Sequence, residues 1–152
     1  MTEESRASTW RRRTRLAVCL CLGVVAGTGL FTFSYAEGGS YLSDDPAACA
    51  NCHVMNDHFY DWQRGPHHAV AVCNDCHAPD TLIPKYAVKA INGWNHSVAF
   101  TTGRFDDPFQ ITAMNVRVAE QSCRRCHDAL VDAIDSGAAE VPCLRCHEGV
   151  GH

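Results

Sequence analysis

No stretch of this chain sustains an apolar–polar alternation of period two, and one stretch gives up polarity almost entirely. From Leu16 to Ala36 there is no charged side chain, and most of the 21 residues are apolar. That is about the length a helix needs to cross the hydrocarbon core of a bilayer. Cys19 and Cys21 lie in this run and read as small apolar residues. Gly23, Gly27 and Gly29 are small residues of the kind that lets spans pack closely. Beyond the run, helix is predicted. One helix opens at Pro46 behind Asp45 as N-cap and runs to about Arg64, before Gly65-Pro66. A second runs from Pro84 to about Thr101 and stops near Gly103. A third runs from Asn115 to Asp135 and stops at Gly137. Residues 101–114, with Asp106, Asp107 and Pro108, read as a loop. The expected fold is mainly α: one N-terminal transmembrane helix followed by a small domain of short helices and long loops.

Charge gives the span a direction. Residues 1–15 sum to +3 and residues 37–152 to −7. Arginines before an apolar run hold that end in the cytoplasm. The expected division is a basic cytoplasmic segment 1–15, a span 16–36 in the cytoplasmic (inner) membrane, and an extracytoplasmic domain 37–152. A rival reading is a cleaved export signal ending at Ser34-Tyr35-Ala36, and Arg11-Arg12-Arg13 also fits a twin-arginine signal. The apolar run is longer than the usual core of such a signal, which favours a retained anchor. With a net charge of −4 nothing points to nucleic acid as a partner.

The ten cysteines change the picture most. Eight lie beyond the span, and all eight obey one pattern: Cys49-Ala-Asn-Cys52-His53, Cys73-Asn-Asp-Cys76-His77, Cys123-Arg-Arg-Cys126-His127 and Cys143-Leu-Arg-Cys146-His147. Cys-x-x-Cys-His is the attachment signature of c-type haem. The thiols bond the two vinyl groups, and the adjacent His then lies under the iron as an axial ligand. Structural zinc needs no His after every second Cys. A disulfide framework would not repeat a two-residue gap and a trailing His four times. A thioredoxin-like site needs one such pair within a βαβ pattern, which is missing. Four haems in so short a domain leave little peptide to form a core, so the domain should depend on haem for folding, as small metal domains depend on metal.

The motif histidines leave distal positions open. Candidates are Met55, His58, His67, His68, Lys85, Lys89, His96 and His152. Met55 stands two residues after His53, too short a tether to reach the opposite haem face, so the two compete for one side of the first iron. His152, five residues after His147, sits better on a neighbouring iron. His67 or His68 follows the Gly65-Pro66 turn. Lys85, Lys89, Asn92 and His96 share one helix face, with Ala87, Ile91, Trp94 and Val98 opposite. The polar face is by default a solvated one; beside an open haem it would instead bind and deprotonate a quinol.

These features together resemble the small subunits of cytochrome c nitrite reductase, membrane-anchored tetrahaem quinol dehydrogenases of the NapC/NirT family. The residues carrying the resemblance are Cys49-Ala-Asn-Cys52-His53-Val-Met55, the Lys85-Tyr-Ala-Val-Lys89 helix with His96 and Phe100, and the closing Cys146-His147-Glu-Gly-Val-Gly-His152. The resemblance implies four covalent haems and menaquinol as substrate from the membrane pool. It implies as partner the pentahaem catalytic subunit that reduces nitrite to ammonium. It implies Met55 on the first haem with His53 displaced, His77 on the second with a lysine of the partner subunit as its other ligand, His127 with His152 on the third, and His147 with His67 on the fourth. It places Lys89 in the menaquinol site. Some members carry an Asp near the first haem's open face; here His96 or Asn95 stands in that region. Alternatives are a relative feeding another reductase, such as periplasmic nitrate reductase, and a plain anchored electron carrier without a quinol site.

Overall fold

The computed structural model describes residues 3–135 and 141–152, so the stop expected at Gly137 lies outside the described residues. The chain divides into two compact units, one ending at Gly39 and one starting at Ser40.

The first unit is a single helix, α1, Glu3–Tyr35. Its 33 residues are unbroken and, at about 1.5 Å per residue, extend roughly 50 Å. The portion Arg6–Tyr35 is long and apolar enough to cross a membrane. The helix therefore continues through the arginine segment, because Arg and the apolar residues around it are acceptable helix formers.

In the second unit the helices are α2 (Pro46–Cys49), α3 (Asn56–Arg64), α4 (Cys73–His77), α5 (Leu82–Thr102), α6 (Ala113–Cys126) and α7 (Asp128–Ile134). Short 3-10 turns occur at Gly38–Leu42, His53–Met55 and Cys143–Arg145. No strand occurs among the described residues, and the mainly α fold expected above is the one observed.

Helix starts follow the caps. Asp45 accepts a hydrogen bond from Ala47 N at 2.9 Å, with Pro46 in the first turn of α2. Thr112 accepts from Asn115 N at the start of α6. Pro84 falls in the first turn of α5, where its missing N–H leaves no bond unmade. Gly103, at φ 66, adopts the left-handed conformation that closes α5.

Two expected helices are interrupted at haem motifs. The first breaks after Cys49, where Cys52 is extended at φ −89, ψ 112, and resumes only at Asn56. The third breaks at His127, φ −114, ψ 26, before α7 begins. In both, the residue pattern continues as helix while the backbone turns at the motif. Helix α4 is too short to leave a periodic signature; the Asp75 carboxylate holds its start by accepting from Val72 N at 2.8 Å.

The packing centre is α6. Helix α4 packs on it, as do α7 and the turn Cys143–Arg145, while α2 packs on α3 and α4. Buried apolar residues among those described are only Ala78, Val118 and Ala119; Lys89 and Ser122 are the buried polar ones. Burying a large side chain contributes about 1.5–3 kcal/mol. Ordering a residue's backbone costs about 1–2 kcal/mol. The peptide's own core is far too small to offset ordering more than a hundred residues.

Candidate functional site

The packing order α2, α4, α6 and the Cys143–Arg145 turn sets the four Cys-x-x-Cys-His motifs side by side in chain order. The Cys49 side chain lies beside that of Cys73, so the first motif neighbours the second. Cys76 lies close enough to Cys123 and Cys126 for their charges to act on it. The Cys123 and Cys143 side chains are neighbours in turn. None of the ten cysteines is placed in a disulfide among the described residues. Among the described residues no three His, Cys, Asp or Glu side chains converge as the ligands of a bare metal ion would. Paired thiols three residues apart, each followed by a histidine, fit covalent haem, and the sparse peptide core leaves its volume to porphyrin.

The interior dipeptides of the motifs, which carry no attachment chemistry, tie the series together. Asn51 donates to Ser40 Oγ at 2.6 Å. Asn74 donates to Asp44 Oδ1 at 2.7 Å and to Ser43 O at 3.1 Å. Arg125 of the third motif donates to Asp75 O of the second at 2.9 Å. Arg124 pairs with Asp135 and donates to Val141 O. Both Leu144 N and Cys143 N donate to the Glu120 carboxylate at 2.8 Å. These bonds hold the Glu120 carboxyl below its usual range against the opposing effect of burial. Glu120 thus anchors the fourth motif on α6. Glu120→Ala should leave those N–H groups without their acceptor, a loss of about 1 kcal/mol locally. Intact-mass spectrometry should then show a species lacking one haem; full haem content in the variant would contradict the assignment.

The histidines outside the motifs have distinct surroundings. His67 lies 6.2 Å from His127 between ring centroids, nearly perpendicular at 88°, with Nδ1 3.4 Å from Val150 O. His68 instead packs edge-on against Trp62. His152 stacks on His77 at 5.8 Å and shares a 3.1 Å contact between Nδ1 atoms with His58. No ring contact joins His152 to His127, or His67 to His147, among the described residues, so the ring contacts draw pairs other than those the resemblance implies. His53 and Met55 share one 3-10 turn, in which Met55 N bonds Cys52 O at 2.8 Å; His53 is exposed and Met55 half-buried.

Helix α5 reverses the default expectation for its two faces. The polar face is the packed one. Lys89 is only 8% exposed, while Trp94 opposite is 72% exposed. Asn92 and Asn115 exchange amide hydrogen bonds at 3.0 and 3.1 Å, fastening α5 to α6. Lys89 Nζ donates to Ser43 O at 2.8 Å and to Asp44 Oδ1 at 3.0 Å. Lys85 Nζ donates to Asp44 Oδ2 at 2.5 Å. Hydrogen bonds from Lys85 and then Lys89 lower the Asp44 carboxyl to about 2, so it is ionised at any physiological pH. Lys89 also acts electrostatically on Cys49, which places it beside the first motif. His96 Nδ1 shares a 2.8 Å hydrogen bond with Tyr41 Oη. The sequence singled out Lys89 and His96 but missed Tyr41, Asp44 and Glu120. The one available signal was that Lys85 and Lys89 have no acid within one helical turn and so need a distant partner.

Comparison with known proteins gives the family. Residues 10–152 match the NapC/NirT cytochrome c family, N-terminal region. The cytochrome c-type protein NrfH of Wolinella succinogenes is 44% identical over 105 residues, which cover 67% of this chain and 59% of that protein. The cytochrome c nitrite reductase subunit NrfH of Nitratidesulfovibrio vulgaris is 33% identical over 106 residues, covering 70% and 62%. The chain spans about three fifths of the length of these relatives. A solved chain from the cytochrome c nitrite reductase NrfHA complex bound to the inhibitor HQNO superposes with a TM-score of 0.60 at 29% identity, covering 86% of this chain and 88% of that one. With its single apolar N-terminal helix and its paired-thiol motifs, the chain belongs to the NapC/NirT cytochrome c family, as a membrane-anchored cytochrome carrying covalently bound haem.

Proposed function

We propose that this chain oxidises menaquinol at the outer surface of the cytoplasmic membrane and delivers the electrons, through four haems, to a pentahaem catalytic subunit that reduces nitrite to ammonium. The observation that carries the reading is the ordering of Lys89 and His96 on one face of α5 beside the first motif. The likeness to nitrite reductase NrfH subunits supports the partner. In this reading residues 1–15 lie in the cytoplasm, 16–36 span the membrane, and 37–152 form the extracytoplasmic domain.

Covalently bound haem supplies one-electron carriers, tuned by their axial ligands. The residues of the chain do the rest. Cys49 and Cys52, Cys73 and Cys76, Cys123 and Cys126, and Cys143 and Cys146 tether the series. Met55 would ligate at the first site, and His77, His127 and His147 at the other three. His67 and His152, which reach motif histidines from outside the motifs, would supply further nitrogen ligands. Lys89, with two of its donors already engaged, holds a substrate oxygen by hydrogen bonding rather than by taking its proton. His96 accepts a proton as the quinol gives up electrons. The acidic balance of residues 37–152 favours a partly basic docking surface on the partner.

The test uses the haem-loaded full chain in detergent. Lys89→Ala should slow reduction by a menaquinol analogue about tenfold or more while sparing reduction by dithionite. Co-purification should bring down the pentahaem subunit. Equal quinol rates in variant and parent, or a different reductase in the co-purified complex, would reject the corresponding part of the reading.

A further inference from the structure

Residues 41–44, which run from the end of the turn Gly38–Leu42 toward the start of α2, meet both functional side chains of α5. Tyr41 Oη reaches His96 Nδ1 at 2.8 Å, across 55 residues of sequence. The Tyr41 ring lies over Gly93, where even a Cβ would sit 3.4 Å from it. This close approach brings the phenol onto the helix within reach of the next turn. Two and three residues later, Ser43 O and Asp44 Oδ1 take the donors of Lys89 at 2.8 and 3.0 Å. Asp44 is itself held by Lys85 at 2.5 Å and Asn74 at 2.7 Å. The groups around Lys89 are thus Asp44, Lys85, the Tyr86 ring at 5.6 Å and the Cys49 thiol.

We propose that Tyr41 and Asp44 are positioning residues for quinol oxidation: Tyr41 holds His96 through Nδ1 so that Nε2 is the nitrogen offered to the substrate, and Asp44 holds Lys89 as a charged donor. This rests on the quinol-site reading above. The chemistry follows from imidazole itself. With Nδ1–H donating to the phenol oxygen, the neutral ring presents an unprotonated Nε2, which takes up a proton while the Nδ1–H hydrogen bond, and with it the ring's orientation, persists. Lysine paired with a carboxylate stays a donor and does not compete for the proton. One short segment thereby assigns opposite roles to two nitrogens two helical turns apart.

The experiment measures steady-state oxidation of a menaquinol analogue by the full haem-loaded chain. Tyr41→Phe should lower kcat about tenfold, the equivalent of one hydrogen bond, with KM unchanged. Asp44→Asn should raise KM about tenfold with kcat little changed, while Asp44→Glu, which keeps the charge, restores KM. Visible and electron paramagnetic resonance spectra and dithionite reduction should match the parent in all three. Parental kcat in Tyr41→Phe together with parental KM in Asp44→Asn overturns the proposal. So does an equal KM defect in Asp44→Glu, which marks Asp44 as a packing residue. His96→Ala separates the two levels: if it is silent, the quinol-site reading fails; if it is impaired while Tyr41→Phe is not, only the positioning role fails.

Discussion

Produced without haem attachment and placed in detergent, this chain should lose nearly all helix beyond residue 40 while keeping the 33 residues of α1. The reason lies in what the peptide buries for itself among the described residues: Ala78, Val118 and Ala119, with Lys89 and Ser122. Three small apolar side chains stabilise by a few kcal/mol at most. Helices as short as α2, α4 and α7 are unstable alone, since nucleation costs more than so few bonds return. The motif with the widest consequence is the third, because Cys123 and Cys126 lie on α6, against which α4, α7 and the fourth motif pack. Cys123→Ser with Cys126→Ser should therefore reduce the far-ultraviolet helical signal more than the same change at the fourth motif. A haem-free chain with the circular dichroism of the parent would defeat this account of folding.

His96→Ala should cut menaquinol oxidation by about 100-fold, the effect expected of removing a positioned proton acceptor. The loss should fall on kcat, because the neighbouring donor Lys89 remains held by Ser43 and Asp44. Reduction by dithionite, which delivers no proton to the site, should proceed at the parental rate. Quinol oxidation within twofold of the parent would remove His96 from the mechanism and return the proton to another group.

Parts of this molecule were legible from residue order. The uncharged run to Ala36 predicts a span, and α1 is a helix long and apolar enough to be one. The caps Asp45 and Gly103 mark helix ends that the structure places there. Breaks at Cys52 and His127 were not legible, because residues such as Asn56, Asp128 and Ala129 continue a helical pattern across a backbone that turns. His67 and His68 look alike in the sequence and differ in the fold: one faces His127, the other packs on Trp62.

What residue order settled is everything governed by short covalent tethers. Thiols three apart with a histidine alongside state their chemistry wherever the chain goes, and a long uncharged segment has few places to be other than a bilayer. What the tertiary structure decided is which distant groups meet: Tyr41 with His96, Asp44 with Lys85 and Lys89, and Glu120 with the fourth motif. Such contacts span 23 to 55 positions. No spacing rule encodes them, because the chain between is free to take many paths until packing around α6 selects one.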